Sequence, residues 1–115
     1  MGWDMNAATK SGSEKLTAEQ LAAFKTAAEQ VLADAGSVDC LLEAGGLDCS
    51  VCARAMEAMT DLSAWTDWTP EQMGEAFAGA VLPDDLTDDN RWEYHSAYHF
   101  MRVCALLGLG AHASY

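Results

Sequence analysis

The sequence predicts an all-α protein, a compact bundle of four main helices plus one short helix. Three observations predict it. Apolar residues recur at helical spacing across 16–36 and 90–107. Two capping boxes, Thr17 with Gln20 and Thr69 with Gln72, announce helix starts. No stretch alternates apolar and polar residues for long enough to read as a strand.

Residues 1–15 read as a flexible N-terminal arm, with Lys10-Ser11-Gly12-Ser13 as its linker. Trp3 is out of place in such an arm. A disordered end is the expectation, and docking on the domain or on a partner is the alternative. The helical domain spans 16–110. Its first helix runs from Leu16 to Gly36, with Thr17 as cap and Leu16 and Leu21 as hydrophobic staple. Leu21, Phe24, Ala28, Val31, Leu32 and Ala35 form one face, and Gly36 stops it. A short helix over Ser37–Ala44 ends at Gly45-Gly46. Asp48 or Ser50 caps the next helix, which runs to about Met59.

Asp61–Asp67 is a linker carrying Trp65. Thr69 then caps a helix with Pro70 at its first position and Trp68 and Met73 as staple; Met73, Phe77 and Val81 face inward, and Pro83 ends it. The last helix covers Asn90–Leu107, capped by Asp88 or Asp89. Apolar residues occupy most of its sides, which places it centrally. Gly108 and Gly110 stop it, and 111–115 is a C-terminal tail.

At 115 residues the chain is one domain, large enough for a core of its own. Half of it is apolar, which excludes general disorder. It has no apolar run of membrane-spanning length and no signal-peptide core at the N-terminus, so a cytoplasmic protein is expected. Eighteen acidic residues against six Lys and Arg leave a formal charge of −12. That balance opposes direct binding to nucleic acid or to an anionic membrane, and it suits a basic protein partner. The sequence leaves the oligomeric state open.

The densest group of reactive side chains is Cys40 to Cys52, CLLEAGGLDCSVC. Cys49 and Cys52 have the spacing of half a zinc site or of a dithiol redox pair. Both would sit on the first turn of a helix, where unpaired N–H groups favour thiolate. Cys40 and Cys104, or His95 and His99, could complete a ligand set for zinc or an iron–sulfur cluster. The spacing matches no standard pattern, and core cysteines with no cofactor are the competing reading. The stretch CSVCARAM resembles the C-x-x-C-x-x-x-H segment of the alkylhydroperoxidase D and carboxymuconolactone decarboxylase group. The resemblance implies an all-helical dithiol oxidoreductase using Cys49 and Cys52. Met56 stands where that family has its histidine, and Glu43 lies closer to Cys49 than the family's relay glutamate.

His95 and His99 lie four apart and share a helix face, the spacing for two imidazoles on one metal. Ser96 follows His95, so H-E-x-x-H is absent. The aspartates Asp84, Asp85, Asp88 and Asp89 lack the glycine and terminal glutamate of a calcium loop. Met56, Met59, Met73 and Met101 fit core filling better than copper binding. With no catalytic motif in evidence, the leading expectation is a non-enzymatic protein-binding module. One concrete form is a phage or mobile-element inhibitor that presents Asp84, Asp85, Asp88, Asp89 and Glu93 to a basic, nucleic-acid-binding surface.

Overall fold

A computed structural model describes residues 3–9, 14–35, 45–47 and 50–114. It contains the four main helices: α1 (Ala18–Ala35), α2 (Ser50–Met59), α3 (Pro70–Gly79) and α4 (Arg91–Leu107). The short helix expected over 37–44 lies outside the described residues. The two capping boxes form as the sequence dictates. Thr17 N–H donates to Gln20 Oε1 at 2.9 Å and Gln20 N–H to Thr17 Oγ1 at 3.2 Å. The same reciprocal pair joins Thr69 and Gln72 at 2.9 and 3.1 Å. The staple residues Trp68 and Met73 are both buried.

The all-α prediction is corrected by an antiparallel sheet. Its strands are β1 (Asp4–Thr9), β2 (Glu14–Lys15), β3 (Gly46–Leu47) and β4 (Gly110–Ser114). β1 is the middle strand. β4 runs along one edge, from Asp4 opposite Ser114 to Ala8 opposite Gly110. The short β2 and β3 share the other edge. The segments read as an N-terminal arm and a C-terminal tail therefore supply the two longest strands. Trp3 is buried, not part of a disordered end, and its indole N–H donates to the Ala64 carbonyl at 2.8 Å.

The physical reason for the correction is composition. Asp, Asn, Ala, Gly and Ser are poor strand formers, and β1 and β4 read DMNAAT and GAHAS. Their pairing is imposed by tertiary burial. Met5, Ala7, Ala111 and Ala113 face the core, while Asn6, His112 and Ser114 face outward. Small residues let the sheet lie close on α3 and α4.

The outer edge of β4 is closed by Trp68 and by Asp67, the last residue of the segment expected to be a linker. Trp68 and Ala111 exchange backbone hydrogen bonds at 2.8 and 2.9 Å. The next outward N–H, at Ala113, donates to Asp67 Oδ1 at 3.1 Å. That side chain also meets His112 Nδ1 at 2.8 Å. An edge that would otherwise offer pairing sites to another chain is thus occupied. A methyl group on Gly110 would run into the Trp68 carbonyl oxygen, so this close approach requires glycine there.

Sheet and helices share one core, a two-layer α+β arrangement. α4 lies at its centre, packed on α1, α2 and α3 as well as on β3 and β4. It ends in a Schellman turn. Gly108 has φ 68°, its N–H reaches back to Ala105, and Leu109 N–H bonds the Cys104 carbonyl at 2.9 Å. Among the described residues no helix is long and apolar enough to cross a membrane.

Candidate functional site

The acidic turn after α3 is built so that its carboxylates do no structural work. α3 ends where Ala80 turns extended, and its N–H bonds the Phe77 carbonyl at 3.2 Å. The chain then passes Val81, three-quarters exposed, into the turn. Asp88 and Asp89 do not cap α4, contrary to the expectation. Asn90 occupies the cap position without a side-chain cap bond. Its Oδ1 instead accepts the Thr87 N–H at 2.9 Å and hydroxyl at 3.2 Å, and the Arg91 N–H bonds the Thr87 carbonyl at 3.0 Å. Thr87 and Asn90, both neutral, close the turn. Asp84, Asp85, Asp88 and Asp89 all remain exposed. Glu93, half-buried, lies in the first turn of α4, where the helix dipole favours its charge.

The turn is one end of a longer acidic tract that charge counting over the whole chain hides. Between Arg54 and Arg91 there is no lysine or arginine, but there are nine acids: Glu57, Asp61, Asp67, Glu71, Glu75, Asp84, Asp85, Asp88 and Asp89. Every one of them is exposed. Among the described residues none makes a salt bridge with Lys or Arg, and Asp67 alone meets a histidine. Neither α2 nor α3 has a basic residue in its last turn, so the negative ends of both helix dipoles stay uncompensated. A tract of one sign on a low-dielectric body attracts and orients cationic partners.

Within this tract lies a groove of about 380 Å³ that the sequence did not indicate. Its walls are the end of α2 (Ala58, Met59), the turn Thr60–Leu62, and one side of α3 (Gln72, Glu75, Ala76, Gly79). Asp61 and Glu75 bring carboxylates to it, while Met59, Leu62 and Ala76 give it an apolar floor. The absence of any cation from 55 to 90 was the available signal for the acidic tract, and it carried none for the groove.

The thiol and imidazole candidates fare differently. Cys40 and Cys49 lie outside the described residues. Cys52 and Cys104 are fully buried in the core. Burial pushes the Cys104 thiol well above its ordinary range, which is the opposite of the thiolate a metal needs. His95 and His99 do share a face, with ring centroids 5.9 Å apart. Burial, then the neighbouring His95 and Arg102, lower His99 to about 4. Burial and Arg91 lower His95. Both rings are therefore neutral at pH 7. His99 Nδ1 is buried without a hydrogen-bond partner, as is Ser96 Oγ one turn before it. Among the described residues no three His, Cys, Asp or Glu side chains converge as a metal site would require.

No family model, no curated protein and no solved structure matches the chain.

Proposed function

We propose that this chain is a protein-binding module that acts by presenting carboxylates to a basic partner surface, of the kind that proteins use to hold nucleic acid. A mobile-element or phage inhibitor is the concrete form this takes. The observation that supports the reading is the tract from 55 to 90, nine exposed acids with no lysine or arginine among them. Such a surface would compete with phosphate for the same cations. Its contact residues are Asp84, Asp85, Asp88, Asp89 and Glu93. The neutral Thr87–Asn90 closure leaves the four aspartates available for that contact.

The test is affinity capture with the intact chain and with a variant carrying Asn at 84, 85, 88 and 89 and Gln at 93. Capture of a nucleic-acid-binding protein that the variant loses, and that weakens as salt is raised, is the expected result. The captured protein should also lose its nucleic acid when the intact chain is added. Equal capture by both forms at low and high salt would remove the reading.

A further inference from the structure

We propose that the groove between α2 and α3 is an anchor pocket for one long cationic side chain, arginine or lysine, of a protein partner. This rests on the reading that the partner is basic, and it adds a site separate from the 84–89 turn. Three features of the groove argue for that occupant. Its size, about 380 Å³, leaves room for a long side chain. Its lining is mixed: Met59, Leu62 and Ala76 offer apolar contact to an aliphatic stem, and Asp61 and Glu75 offer carboxylates to a charged head. Its surroundings hold no compensating cation, because no lysine or arginine occurs from 55 to 90 and α2 ends on it without a basic residue in its last turn.

One lining position has room for a larger side chain. Gly79 lines it, and a β-carbon added there would meet nothing within 4 Å. A longer side chain at 79 would therefore meet no clash at its β-carbon, which makes this position the one to fill as a test of the groove. Asp61 and Glu75 are both exposed, and no hydrogen bond or ion pair within the fold uses their carboxylates among the described residues. An arginine head reaching them would make charge-assisted hydrogen bonds, and desolvation by the apolar floor would strengthen these. Partially buried cationic anchors of this kind are what concentrates binding energy in interfaces.

The experiment is a titration of the full, nitrogen-15-labelled chain with a short peptide alternating glycine and arginine, and with its lysine and citrulline counterparts. The expected result is a saturable change in the amide signals of 58–62 and 72–79 with the arginine and lysine peptides and none with neutral citrulline. Glu75→Gln and Asp61→Asn each weaken it about threefold to tenfold. Gly79→Met, checked for folding beside Gly79→Ala, abolishes the groove response and leaves that of 84–89 in place. Signals that move only at 84–89, or a groove response untouched by Gly79→Met, overturn the pocket and spare the acidic-turn reading. Silence at both places overturns both. A response in the groove alone supports the pocket and removes the turn from the partner face.

Discussion

The indole N–H of Trp3 donates to the carbonyl of Ala64 across 61 residues of chain, at 2.8 Å and out of contact with water. The ring also packs edge-on against Trp65, with centroids 6.4 Å apart. This contact ties the start of β1 to the 60–69 segment, which in turn closes β4. Trp3→Ala should cost about 3–5 kcal/mol, the usual loss for a buried aromatic. Trp3→Phe keeps most of the apolar contact but strands the Ala64 carbonyl, and should cost about 1–3 kcal/mol. Urea denaturation followed by circular dichroism separates the two. A flexible arm would give no change for either substitution.

Gly110 and Gly74 should respond to alanine with opposite signs. A methyl group at 110 meets the Trp68 carbonyl oxygen, and the strand cannot retreat because β1 holds its other edge. Gly110→Ala should destabilise by about 1–3 kcal/mol, as overpacking does. Gly74 lies inside α3 with open space beyond its α-carbon. Gly74→Ala should stabilise by about 0.5–1 kcal/mol through helix propensity alone. Thermal melts of the two variants beside the parent chain check both signs.

How much of this was legible in the sequence depends on where the determinants lie along the chain. Helix starts were legible because Thr17–Gln20 and Thr69–Gln72 place donor and acceptor three residues apart. The Schellman stop at Gly108 was legible for the same local reason. The sheet was not. Met5 faces Leu47 and Ala113 across sequence separations that no local pattern encodes, and alanine carries no strand signal. Asp67 reads as one more surface acid until β4 brings the Ala113 N–H to it. The acidic turn was visible as four aspartates, but its closure by Thr87 and Asn90 was not. The groove escaped because Asp61, Glu75 and Gly79 come together only once α2 and α3 have both packed on α4, not by spacing.

His99 should make the fold sensitive to acid. Its folded value is lowered to about 4, by burial first and then by His95 and Arg102, against 6.5 for an ordinary imidazole. The unfolded chain therefore takes up a proton at 99 before the folded chain does. Stability is fully present above pH 6.5 and is lost as pH falls from 6.5 toward 4, by up to about 3 kcal/mol. His99→Gln removes the titrating ring and should flatten that part of the profile. Urea midpoints between pH 7 and 4.5 for the two proteins check it, and parallel profiles would show that protonation at 99 is irrelevant.

The aspartates of the turn should be dispensable for stability, unlike the neutral pair that closes it. Asn90 Oδ1 accepts two hydrogen bonds from Thr87, whereas Asp84, Asp85, Asp88 and Asp89 stand exposed in a tract with no Lys or Arg. Asn90→Ala removes both bonds and should cost about 1 kcal/mol. Replacing all four aspartates by asparagine removes like-charge repulsion and should leave stability unchanged or raise it slightly. Salt separates repulsion from bonding: at an ionic strength of about 1 M the screening length shrinks to about 3 Å. Added sodium chloride should therefore raise the melting temperature of the parent chain more than that of the four-asparagine variant, while the deficit of Asn90→Ala persists at every salt concentration.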